Sequence, residues 1–192
     1  MKLRSIIAGA SIIASGCSPI TNSYSLDIVD FDAEHTAAIV DAANKWVAAV
    51  NDPSQLTINV YTGSCDPSYK GDGCIFPLTD IPPYLKSKYL AGMVAAGRKD
   101  AMGWCAMQEG GMENGAYVYI DLALINDIDV FSHTVQHELG HMFDLKHTGV
   151  GTVMYPYSNV SSPQTDAAQD VTCADVQQYV DLRGATNHCS LE

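Results

Sequence analysis

His137-Glu138-Leu139-Gly140-His141-Met142-Phe143-Asp144-Leu145-Lys146-His147 is the stretch whose reading decides the rest of the chain. Two histidines four apart on a helix share a face, about 40° offset and about 6 Å apart along the axis. Both imidazoles can therefore reach one metal ion. Glu138 lies about 100° round from His137, close enough to hold a metal-bound water without displacing it. This is the arrangement of zinc hydrolases. Zinc lowers the pKa of its water, Glu138 takes the proton as general base, and the hydroxide attacks a carbonyl polarised by the same metal. Glu138 then returns the proton to the leaving amine. His147 is the third candidate ligand, but a helix continued that far would carry it away from the metal. The chain must turn sharply after His141.

Downstream, Gly151-Thr152-Val153-Met154-Tyr155-Pro156-Tyr157 places a methionine seven residues after His147. Together the two stretches resemble the metzincin clan of zinc endopeptidases, whose pattern HExxHxxGxxH turns on a glycine in left-handed conformation. Here Asp144 occupies the glycine position. Aspartate tolerates that conformation better than most residues, at a cost of roughly 1 kcal/mol relative to Gly. Asp144 is read either as the turn itself or as a carboxylate orienting one of the imidazoles. Within the clan, the MYP sequence is most similar to the matrixins. By that resemblance Met154 forms the floor under the histidines, and Pro156 and Tyr157 line the pocket for the residue after the scissile bond. Pro156 stands where astacin-type enzymes carry a tyrosine ligand, so none is assigned. Gly115 to Ile120 fall where that family has the edge strand that pairs with extended substrate.

Outward from the site, residues 130–143 form the helix that carries the first two histidines. Residues 32–50 place Ile39, Ala43, Trp46, Val47 and Val50 on one face, a second amphipathic helix stopped by Asp52-Pro53. Thr172 and Asp175 form a capping-box pattern at the start of a third helix, 173–183. Leu56, Ile58 and Val60 alternate as in a half-buried strand over 56–63. Residues 101–107 and 116–122 read as two further strands around a glycine-rich turn. The loop between Cys65 and Cys74 and the Pro82-Pro83 pair are read as a long irregular connection, and residues 84–97 fit more than one element. These elements predict an α+β domain over 32–192: a metzincin-like, zincin-type fold with a small mixed sheet, a catalytic helix and a C-terminal helix.

The start of the chain reads differently. Lys2 and Arg4, the run SIIAGASIIASG and then Cys17 describe a secretory signal over 1–16. Ala14-Ser15-Gly16-Cys17 resembles a bacterial lipobox, in which the Cys is lipidated; the alternative is an ordinary signal peptide cut nearby. Residues 17–31 then form a short polar tether, and one lipid chain would hold the domain at a membrane surface. The expected locations are the cell membrane or the outer membrane, or otherwise a secreted or periplasmic protein. In an oxidising compartment disulfides are the default. Cys65 with Cys74, and Cys173 with Cys189, are the candidate pairs, leaving Cys105, which could compete for either loop cysteine.

Composition narrows the partners. A chain of 192 residues with 47% hydrophobic content suits one domain, and no apolar run is long enough to span a membrane. With 22 acidic against 10 basic residues, the formal charge of −12 argues against nucleic acid. A monomer acting on proteins or peptides is expected, with one catalytic Zn2+. The alternatives are a zinc hydrolase of a non-peptide amide and a non-catalytic zinc-binding surface module. Ca2+ is the other cation to weigh, but Asp66, Asp72 and Asp80 match no calcium motif and read as solvated loop. His133, one turn before His137, is either a rival ligand or an early-helix residue outside the metal's reach. His35 and His188 read as surface residues.

Overall fold

In the computed structural model, which describes residues 22–53, 55–65, 73–80, 91, 101–107, 115–156, 168–183 and 189, one five-stranded sheet carries three helices among the described residues. The strands are β1 (Asn22–Ile28), β2 (Leu56–Thr62), β3 (Gly73–Pro77), β4 (Gly103–Met107) and β5 (Ala116–Ile120). The helices are α1 (Ala33–Val50), α2 (Ile128–Met142) and α3 (Cys173–Arg183). The sheet order is β2-β1-β3-β5-β4; all pairings are parallel except β4 with β5. The expected small mixed sheet is present, larger by two strands and mostly parallel.

Those two strands correct the sequence reading. Residues 22–28 were assigned to a polar tether, yet β1 is paired on both sides, with β2 and β3. Tyr24, Leu26 and Ile28 face the core at period two while Ser23, Ser25 and Asp27 alternate with them. Residues 73–77 were assigned to an irregular connection, yet all five are buried in β3. A parallel strand covered on both faces need not alternate, so its short apolar run carries no periodic signal.

Parity along the strands divides the apolar residues between two faces. Leu26, Ile75, Val118 and Ile120 meet Ile39, Trp46 and Val50 of α1 and Val135, Leu139 and Met142 of α2 in the main core. Cys74, Phe76, Tyr117 and Tyr119 form a second cluster, with Trp104 and Ala106 packed against it. Gly103 and Cys105 of β4 therefore belong to the helix-bearing side. The two helices are joined by the Trp46 indole, which donates to the Gln136 carbonyl at 2.9 Å.

Each helix starts on a side-chain cap. Asp32 accepts from the His35 N–H at 2.9 Å, and Asp127 from the Asp129 N–H at 2.7 Å. α1 ends at Asn51, which is left-handed with φ 53°, one residue before the expected Asp52-Pro53 stop.

Candidate metal centre

His137 and His141 lie on α2, and His147 returns to them after the helix has ended. One nitrogen from each of the three lies within 4.8 Å of the others. The return is made by a Schellman arrangement. The Leu145 N–H reaches the Gly140 carbonyl at 3.0 Å and the Asp144 N–H reaches that of His141 at 2.9 Å. Asp144 takes the left-handed conformation, with φ 69°. Of its two sequence readings, the turn is the one realised: Asp144 stands in the conformation that glycine ordinarily supplies.

The ring orientations are fixed from behind. His137 Nδ1 lies 2.8 Å from the Val153 carbonyl and His141 Nδ1 lies 2.8 Å from that of Leu145. A carbonyl oxygen only accepts, so each Nδ1 carries the proton and each Nε2 presents a lone pair. His141 Nε2 and His147 Nε2 face one another at 3.0 Å. Nitrogens that share a tetrahedral zinc at ordinary bond lengths stand about 3.3 Å apart, so the donor set fits that ion. Burial first, and the adjacent His141 second, push His137 down to about 3, against an upward pull from Val153. A neutral imidazole is the form that ligates.

The helix and the methionine turn are in direct contact. A Cβ at Gly140 would run into Met154 Sδ and come within 3.0 Å of Trp46 Cζ2. Met154 is fully buried. Glu138 is 5% exposed, and its Cγ and Oε1 would stand 2.7 and 2.8 Å from a Cβ at Gly103. Only a glycine in β4 lets the edge of the sheet approach the carboxylate this closely.

The expected substrate strand needs correction. Ala116–Ile120 is hydrogen-bonded on both sides, by β3 and by β4, and has no free edge. β4 is the edge strand on the α2 side of the sheet, paired on one side only among the described residues.

Other candidate residues fall as follows. Cys65 is bonded to Cys74 and Cys173 to Cys189, with Cα separations of 6.2 and 5.5 Å, leaving Cys105 free. His133 is not among the converging nitrogens. It bonds the Ala168 backbone, and burial holds it below the ordinary imidazole range. His35 pairs with Asp32 at 2.8 Å, at the far end of α1 from the site. Pro156 follows the methionine turn, half-buried. Cys17, Asp66, Asp72, Tyr157 and His188 lie outside the described residues, as does the side chain of Asp80.

Sequence reasoning missed how the methionine turn is held. Asp175 of α3 is fully buried. Its Oδ2 accepts from the N–H of Val153 at 3.0 Å, and its Oδ1 from that of Met154 at 3.2 Å. It also closes the expected capping box, accepting from Thr172 N–H at 2.9 Å and Thr172 Oγ1 at 2.6 Å. Only the local half of that role is visible in the pattern TCAD.

No protein-family model matches the chain, and no curated protein matches it. Among solved structures, the chain is similar to the crystal structure of archaemetzincin from Methanopyrus kandleri. The TM-score is 0.53 at 15% identity, over 85% of this chain and 97% of that one. At that identity the likeness is one of fold. The chain thus shares its overall fold with that structure, and three histidines converge on it as candidate metal ligands.

Proposed function

We propose that the protein is a zinc metalloendopeptidase in which His137, His141 and His147 bind the metal and Glu138 is the general base. The convergence of three histidine nitrogens, two of them on rings whose Nδ1 is tied to a backbone carbonyl, carries the reading. Zinc, when bound, supplies a Lewis acid for the scissile carbonyl and acidifies water beside it. Glu138, one residue after His137 and packed against Gly103, takes the proton of that water and returns it to the leaving amine. β4, paired on one side only among the described residues, would take an extended peptide through backbone hydrogen bonds with little demand on sequence. His147 is exposed, so the site opens to a polymer rather than enclosing a small molecule. Met154 supports the histidines from below, and Pro156 with Tyr157 forms one wall of the pocket for the residue after the cleaved bond.

The two disulfides support an exported protein, in keeping with a signal over 1–16 and a lipid on Cys17. No helix among the described residues is long and apolar enough to cross a membrane. The lipid on Cys17 is the proposed tether.

The test uses the chain from Ser18 onward beside its Glu138→Ala variant. One zinc per chain is expected in both. Casein cleavage is expected to fall about 10²- to 10⁴-fold in the variant and to stop in the wild type on chelation. Zinc binding with no cleavage by the wild type would remove the peptidase, and absence of zinc would remove the metal site.

A further inference from the structure

The last helix reaches the metal site at more places than the methionine turn. Asp175, Gln178, Tyr179 and Arg183 recur at spacings of three and four, so they form one stripe along α3. That stripe is polar where a packed helix face is ordinarily apolar. Gln178 grips both backbone groups of Lys146, the residue before the third histidine: the Lys146 N–H donates to Oε1 at 2.5 Å, and Nε2 donates to the Lys146 carbonyl at 3.3 Å. Arg183 Nη2 donates to the Phe143 carbonyl at 3.1 Å and stands 3.8 Å from the Asp144 carboxylate. Phe143 ends α2 and Asp144 makes the left-handed turn.

We propose that Gln178 and Arg183 are positioning residues for His147, holding the return from residue 143 to 147 on the path that brings its imidazole to the other two. The proposal rests on the metal-site reading above. Asp144 gives up the conformational freedom of glycine, and Arg183 offsets that cost through the carboxylate that glycine lacks. Gln178 pairs with Lys146 as a second peptide group would, fixing the backbone one bond away from the ligand. The effect of both side chains passes through the backbone they hold.

The experiment is a zinc competition titration against a chromophoric chelator, with the Co2+-substituted absorption spectrum and thermal unfolding of the metal-free protein. Gln178→Ala is expected to weaken zinc binding about tenfold and to shift the cobalt bands, while the metal-free protein unfolds within a few degrees of wild type. Arg183→Ala is expected to weaken binding about five- to tenfold in the natural background. In the Asp144→Gly background it should cost no more than about twofold, because glycine makes the turn unaided. This second comparison decides the matter even if Gln178→Ala fails to fold. Wild-type zinc affinity and an unchanged cobalt spectrum in both single variants would overturn the positioning role and leave the metal site standing. Equal losses from Arg183→Ala in the two backgrounds would overturn the role of Arg183 as support for the turn. A wild-type protein that takes up no zinc would overturn both proposals.

Discussion

The two parts of the site are specified in different ways. His137 and His141 are placed by one turn of α2, and the helix is held by the packing of Val135, Leu139 and Met142 into the main core. His147 and Met154 stand on a segment without regular structure, and the groups that hold it come from α3, between 20 and 40 residues further along the chain. The first part is local; the second depends on contacts distant in the chain. A metal site built this way is only as exact as its less regular half.

The comparison is broken most directly by Asp175→Ala. That change leaves the N–H groups of Val153 and Met154 buried without their acceptor, at a cost of at least about 2–3 kcal/mol. A fall of several degrees in the unfolding temperature is expected, together with weaker zinc binding, because the Val153 carbonyl that orients His137 sits on the loosened turn. A calorimetric scan with and without zinc checks both. Unchanged stability would mean the turn is held by other contacts.

Gly140→Ala probes the seam between the two parts. Helix propensity alone would favour alanine by about 1 kcal/mol. The contact with Met154 and Trp46 opposes it, and overpacking ordinarily costs 1–3 kcal/mol. A net loss of about 1 kcal/mol is expected in denaturant unfolding, and no loss when the same change is made in a Met154→Ala background. A stabilised single variant would show that the seam is loose.

Asp127→Ala affects the helical part alone. Loss of this N-cap should cost about 1 kcal/mol of stability and leave zinc affinity within twofold of wild type, since the cap lies nearly three turns before His137. Chemical denaturation and chelator competition separate the two quantities. A large loss of affinity would show that the helix is no more rigid than the return.

The same division explains what could be read in advance. α1, β2, α2 and α3 follow from periodicity and capping, and α3 lies at the expected residues 173–183. The helix pair follows from spacing, and the turn at Asp144 from the need to bring His147 back. β1 was passed over because its serines and aspartate hid the alternation of Tyr24, Leu26 and Ile28. β3 was passed over because a strand buried on both faces has no alternation to show. Assigning the free edge to 115–120 failed for a different reason: strand order is set by which edges meet, and β4 comes before β5 in the chain but outside it in the sheet. The hydrogen bonds of Asp175, Gln178 and Arg183 to the site could not be read because each joins residues that no local pattern relates.

The left-handed turn at Asp144 also has a genetic side. Both aspartate codons lie a single base from a glycine codon, so one mutational step can exchange the two residues. In a chain that already carries Arg183, the step from glycine to aspartate gains a carboxylate for the guanidinium as it loses conformational freedom. In a chain without the arginine, the same step brings only the strain.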